Sequence, residues 1–364
     1  MREIVLPQFP WDQLAPYGAK ARSHIDGIID LSIGTPVDST PEVIQQALRD
    51  HADAPGYPTV VGIPELRAAI IKSFCATHHI KDLKDENVLA TIGSKELVGV
   101  LPTLLGIERG DTIVIPELAY PTYAVAAKFA QANVVAADDL GALGSAPISL
   151  VWINSPSNPT GKVLSKAQLR TILEQARSRG AIVASDECYL DLYYDDDRPA
   201  SILDPEVCGG SFDNLLALHS LSKRSNFAGY RGGFAAGDQR LISQLVEVRK
   251  HLGFLIPTPV QHAMIAAYTD TGHVAEQRDR YARRRAVLRP ALETAGFKID
   301  ESAAGLYLWV TRGTECWDTV DFLANRGILA APGSFYGLAG SQHVRIAMTA
   351  TDEAIANAAA RLSR

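Results

Sequence analysis

Ser149-Leu150-Val151-Trp152-Ile153-Asn154 and Ala181-Ile182-Val183-Ala184-Ser185, separated by a polar turn and the helical pattern Lys166–Arg179, form the stretch that decides the fold. Two short apolar runs bounded by turn formers read as buried strands, and the amphipathic segment between them completes a βαβ unit. Such a unit implies parallel strands with helices on the sheet faces. The same reading extends in both directions. Val88–Ile92, Thr112–Ile115, Asn133–Ala136 and Leu215–Leu218 read as further short buried strands, with Lys95–Leu105 and Tyr123–Ala130 as helices between them. The strands run into Gly93-Ser94-Lys95, Asn154-Ser155-Pro156, Asp186-Glu187 and Ser220–Lys223. Ligands of open α/β sheets bind beyond the carboxyl ends of the strands, so these polar clusters are expected on one rim.

From His273 onward the pattern changes. A long helix over Val274–Ala295 precedes a strand at Leu306–Val310, a helix around Trp317–Arg326, a strand at Val344–Met348 and a terminal helix from Asp352. This reads as a smaller α+β domain. A chain of 364 residues exceeds a single core, so two domains are expected: residues 38–272, and residues 1–37 together with 273–364.

Composition removes several function classes. A net charge of −6 and the lack of a long basic block leave no electrostatic footprint for nucleic acid. Arg280, Arg283, Arg284 and Arg285 cluster on a helical pattern and read as a solvated face. No stretch approaches the ~20 apolar residues that span a bilayer, and MREIVLPQFPWDQ lacks the apolar core of a signal peptide. Cys75, Cys188, Cys208 and Cys316 are scattered, as reduced thiols of a cytoplasmic enzyme would be. Neither they nor the nine histidines show metal-site spacing, so no metal is expected.

The chemistry concentrates in three segments. Ser220-Leu221-Ser222-Lys223 follows a buried strand, and Arg231 comes eight residues after the lysine. A partly desolvated lysine amine near cations is nucleophilic and can form a Schiff base with an aldehyde cofactor. Ser220, Ser222 and Arg231 suit a phosphate, the arginine as a forked donor. Alone, the segment reads equally as a surface lysine at a helix start. Asp186 closes a buried strand, where a carboxylate is costly without a cation; a protonated pyridine nitrogen would serve, though a helix N-cap is an equal reading. Asn154–Gly161 by itself is an unremarkable turn.

Taken in order, N-x-P-x-N-P-T-G, D-E-x-Y and S-x-S-K-x-x-x-x-x-G-x-R-x-G resemble the fold-type I aminotransferases of classes I and II. Supporting likenesses are Ile33-Gly34-Thr35-Pro36, Tyr57 with Gly62–Arg67, Gly93-Ser94-Lys95-Glu96, Pro332-Gly333-Ser334 and Val344-Arg345-Ile346. The resemblance implies an α/β fold with a mostly parallel seven-stranded sheet and a smaller α+β domain. It also implies pyridoxal 5′-phosphate bound as an aldimine to Lys223. By the same likeness Asp186 would pair with the pyridine nitrogen, and Asn158 and Tyr189 would hydrogen-bond the ring oxygen. Tyr120 would stack on the ring, with a core tyrosine as the other reading. Ser94 and Lys95 would present amides to the phosphate at a helix amino terminus. Tyr57 would reach the site of a second subunit, making a homodimer. Gly34, Asn158 and Arg345 would meet the substrate, Arg345 clamping its α-carboxylate unless it is a structural strand arginine.

Within the family the chain is most similar to the actinobacterial-type N-succinyl-L,L-diaminopimelate aminotransferases of lysine biosynthesis. Gly34–Asp38, Gly93–Leu97, Ala119–Tyr123, Ser220–Phe234, Ile256–Gln261 and Gly305–Trp309 carry that likeness. The wider family often has aspartate where Val37 stands, whereas here the acid is Asp38. The expected reaction pairs the diaminopimelate substrate with glutamate and 2-oxoglutarate. Transfer to another amino acid (aspartate, aromatic) and a pyridoxal-phosphate C–S β-lyase are the enzyme alternatives. A cofactor-binding regulatory module would need a DNA-binding domain, for which too few residues precede Gly34.

Overall fold

The computed structural model describes residues 10–195 and 197–363. Part of the segment read as lacking a signal peptide, residues 1–9, therefore lies outside the described residues. Seven strands form the central sheet: β1 (Val88–Thr91), β2 (Thr112–Ile115), β3 (Asn133–Ala136), β4 (Leu150–Asn154), β5 (Ile182–Asp186), β6 (Leu215–Ser220) and β7 (Gly233–Gly237). Their order is β1-β7-β6-β5-β4-β2-β3. All neighbours are parallel except those of β7, which runs antiparallel to both β1 and β6.

Every residue of β4, β6 and β7 is buried, because helices cover both faces of the sheet. One layer of the core centres on Leu66, Ile70, Val151, Val183 and Phe234, and the other on Leu97, Leu101, Tyr123, Trp152 and Leu216. The helix Lys166–Arg177 starts as its sequence suggests. Ser165 Oγ accepts from the Gln168 amide at 3.2 Å, and Gln168 returns the bond to the Ser165 amide at 2.9 Å.

Two sequence expectations are corrected. Asn133–Ala136 is a strand but not a buried one; it is the edge of the sheet, and three of its four residues are exposed. The seven strands match the mostly parallel seven-stranded sheet expected; the seventh, β7, was not located from its residues, because Gly233-Phe234-Ala235-Ala236-Gly237 has weak strand propensity and is specified by its neighbours. The arginine cluster is a solvated face only in part, Arg283 being exposed. Arg284 is buried and ion-paired to Asp38 and Asp352, and Arg285 lies over the Tyr194 ring.

A second, antiparallel sheet has the order β10-β11-β9-β8, with β8 at Lys298–Asp300, β9 at Tyr307–Thr311, β10 at Ala331–Pro332 and β11 at His343–Ala347. The helices Gly272–Thr294, Cys316–Ala324 and Asp352–Leu362 pack around it. The amino-terminal segment joins this side, Ile29–Asp30 pairing in parallel with Ile328–Leu329. Among the described residues no helix is long and apolar enough to cross a membrane.

Candidate active site

The carboxyl ends of β4, β5 and β6 are adjacent in the sheet, so Asn154, Asp186 and Ser220 arrive on one rim by strand register alone. Lys223 follows within the single helical turn Leu221–Arg224, which Ser220 caps by accepting from the Ser222 amide at 3.1 Å. The lysine Nζ donates to the Gly34 carbonyl at 2.5 Å, across 189 residues of sequence.

Asp186 is buried and meets no described cation. Burial lifts its carboxyl above the usual range, while the Tyr123 hydroxyl, donating to Oδ2 at 2.9 Å, and the Cys188 amide, donating to Oδ1 at 3.3 Å, pull it back. Asn154 fixes the turn beside it. Its Nδ2 donates to the Asp186 carbonyl at 2.9 Å, and its Oδ1 accepts the Asn158 amide at 2.7 Å.

Asn158 Oδ1 in turn accepts from Arg345 Nη1 at 2.7 Å, and Arg345 Nη2 donates to the Ser32 carbonyl at 2.6 Å. The Arg345 guanidinium lies over Tyr307 at 3.9 Å, and its buried Nε–H has no partner among the described residues. A buried donor without an acceptor is costly, and a bound carboxylate would supply one. Tyr189 and Tyr307 share a hydrogen bond of 3.1 Å between hydroxyls. Gly34 is needed where it stands, because a Cβ there would overlap the Tyr307 hydroxyl.

The helix Gly93–Leu104 begins at the end of β1 and turns the amides of Ser94 and Lys95 outward at its amino terminus. Gly93 has φ +68°, and a Cβ on it would lie 2.8 Å from Arg231 Nη2. The guanidinium therefore closes one side of this loop. Arg231 itself sits at φ +64°, an uncommon conformation for arginine, held by its bond to the Ala228 carbonyl at 2.9 Å. Tyr120 is half-buried and edge-on to Tyr123. Tyr57 stands apart from all of these, 98% exposed.

Several contributors went unrecognised in the sequence. Tyr123 was read only as part of a helix, yet it stacks on Trp152 at 4.7 Å and bonds Asp186. Asn154, Tyr307 and Ser32 enter the site through contacts between distant segments. The histidines also gather without any sequence spacing to announce it. His78 and His219 flank Asp191, with His78 Nε2 3.3 Å from its carboxylate. Arg224 Nη1 already donates to that carboxylate at 2.7 Å, and a guanidinium there opposes a second cation.

The site thus joins a strand-end lysine, a buried carboxylate awaiting a cationic partner, and an anion cradle closed by an arginine. That donor set fits pyridoxal phosphate. This is the class of the fold-type I pyridoxal-phosphate enzymes. The chain belongs to the aminotransferases of class I and II, whose family model matches residues 26–362.

Known relatives agree along the whole chain. It is 54% identical over 363 residues to the 4-dedimethylamino-4-oxo-anhydrotetracycline transaminase OxyQ of Streptomyces rimosus, covering all of both chains. It is 53% identical to the probable aminotransferase Rv1178 of Mycobacterium tuberculosis, over 98% of this chain and 85% of that one. An LL-diaminopimelate aminotransferase of Dehalococcoides mccartyi is 31% identical over 98% of this chain and 96% of its own. Among solved structures, the aminotransferase AspB of Helicobacter pylori superposes with a TM-score of 0.89 at 29% identity, covering 99% and 98% of the two chains. A probable N-succinyldiaminopimelate aminotransferase of Thermus thermophilus gives 0.86 at 28% identity, covering 98% and 99%. The chain is therefore a pyridoxal-phosphate-dependent aminotransferase.

Proposed function

We propose that the substrate is N-succinyl-L,L-diaminopimelate, with glutamate and 2-oxoglutarate as the exchanging pair, in lysine biosynthesis. The whole-length likeness to an LL-diaminopimelate aminotransferase carries this reading, and the Thermus structure supports it. OxyQ suggests a second substrate, a polycyclic ketone, on the strength of 54% identity. The mycobacterial aminotransferase is equally similar, so that likeness does not single out the polycycle.

Pyridoxal phosphate, when bound, supplies an electron sink for the bonds at the substrate Cα. Lys223 would carry it covalently, and its Nζ would serve as the base for the Cα proton. The carbonyl of Gly34, 2.5 Å from Nζ, orients that amine. Asp186 would keep the ring nitrogen protonated, while Asn158 and Tyr189 would bond the ring oxygen and Tyr120 would cover the ring face. Ser94, Lys95, Ser220, Ser222 and Arg231 would hold the phosphate. Arg345 keeps three N–H groups beyond its two described side-chain-to-protein bonds, enough to grip an α-carboxylate. Tyr57, exposed here, is assigned to the site of a second copy in a homodimer. Free cysteines and water-soluble substrates suit the cytoplasm. The domain division at 37/38 and 272/273 belongs to the same reading.

Purified holoenzyme mixed separately with glutamate, N-succinyl-L,L-diaminopimelate, aspartate and aromatic amino acids, followed by cofactor absorbance, tests the substrate. Faster reaction with aspartate or aromatic donors than with N-succinyl-diaminopimelate overturns it, and release of pyruvate and ammonia indicates lyase chemistry. Preferential amination of the anhydrotetracycline ketone favours the second reading. For the site itself, Lys223→Ala should abolish the visible absorbance and nearly all turnover; full activity in that variant would refute the assignment.

A further inference from the structure

Two sequence features remained without a role, the displaced acid Asp38 and the arginine cluster of the helix Gly272–Thr294. They meet. Arg284 donates to Asp38 through Nη2 at 2.6 Å and Nη1 at 2.9 Å, a forked pair across 246 residues. Gln277 Nε2 donates to the same carboxylate at 2.8 Å. Gln277 Oε1 accepts from Asn226 Nδ2 at 2.9 Å, and Asn226 lies three residues after Lys223. The same Nδ2 reaches the Ser39 carbonyl at 3.2 Å, while Thr40 Oγ1 donates to the Asn226 carbonyl at 2.8 Å.

These bonds bracket a short bridge. At its near end, Ile33 O accepts from Thr349 and Gly34 O accepts from Lys223. Thr35 and Val37 are exposed, so the next polar side-chain anchor along the strap is Asp38. The backbone carbonyl that meets the catalytic amine is thus strung between two fixed points, one of them an ion pair. Asp352 offers an internal comparison. It pairs with the same Arg284 through Nε at 2.6 Å but is 66% exposed on its side chain and belongs to the terminal helix.

We propose that Asp38 is a positioning residue: by locking the segment Gly34–Thr40 to Arg284 and Gln277, and through Asn226 to the Lys223 loop, it sets where Gly34 meets the lysine and substrate. The inference rests on the reading of Lys223 and Gly34 as active-site residues. Asp38→Asn keeps the shape and the Gln277 contact but removes the charge that matches the fork; Arg284→Lys keeps the charge and removes the fork.

Both variants should raise KM for the amino donor and the 2-oxo acid by roughly tenfold, the size expected for losing one charge-assisted bond. Amide hydrogen exchange should speed up over residues 33–40, with the visible spectrum of the bound cofactor unchanged. Asp352→Asn should leave KM within about twofold and that exchange untouched, although it loosens the terminal helix. Unchanged KM in Asp38→Asn, or an equal effect in Asp352→Asn, overturns the proposal, since a merely structural ion pair would make both acids alike. Failure of the underlying site reading is seen separately, as retained turnover in Lys223→Ala.

Discussion

Replacing Tyr123 with phenylalanine isolates one bond at the centre of the site. The ring stays stacked on Trp152, and only the hydroxyl that donates to Asp186 Oδ2 at 2.9 Å is lost. Both partners are buried, so water cannot replace the donor. Among the influences that hold the Asp186 carboxyl down against burial, this bond is the strongest. A hydrogen bond to a charged group is worth about 1.5–3 kcal/mol, which at ~1.4 kcal/mol per decade is about 10–150-fold. The sign follows from the geometry: without the donor the ionised carboxylate is less stable and holds a facing ring nitrogen protonated less well. The measurement is the glutamate half-reaction by stopped-flow absorbance, with cofactor retention on dialysis as a second readout. The rate constant should fall at least about tenfold while the glutamate dissociation constant stays within about twofold, because Tyr123 is remote from Arg345 in the described contacts. Asp186→Asn should be at least as impaired. A Tyr123→Phe enzyme turning over at the wild-type rate, beside a crippled Asp186→Asn, would refute the claim that this hydroxyl supports Asp186.

Glu187 supplies a stability prediction. Its carboxyl is buried beside Asp186, Oε1 accepts from the Ile202 amide at 2.7 Å, and burial pushes its pKa up to about 7 from an ordinary 4.5. A raised carboxyl favours the folded state fully below the unfolded pKa, and that contribution is lost as pH rises through about 7. Linkage puts the loss at roughly 3 kcal/mol. Urea midpoints from about pH 5 to 7.5 should therefore decline more steeply in the wild type than in Glu187→Gln, and parallel profiles would count against the assignment. Arg345→Lys should raise KM for amino donors and 2-oxo acids by about tenfold or more with the cofactor spectrum intact, because one ammonium cannot bond Asn158, Ser32 and a carboxylate in a plane. Steady-state kinetics with both substrates checks it.

The sequence by itself determined the parts whose information is local. Alternating apolar runs and helices specified the parallel portion of the sheet, since burial on both faces demands continuous hydrophobic strands. Lys223, Asp186 and Asn158 could be singled out because each sits in a short motif at or just beyond the end of a strand, and Arg345 because it sits in a short strand motif that resembles the family's. Tertiary structure alone decided what depends on neighbours far along the chain. Which strand forms the exposed edge, and that β7 runs antiparallel, follow from sheet order rather than from the strands' own residues. Tyr123 acquires its role from a carboxylate 63 residues away, and Arg284 leaves the solvent with Asp38, 246 residues away, and Asp352 as its partners. A buried charge or hydroxyl is tolerable only with its partner in place, and partners are brought together by the fold, not by spacing.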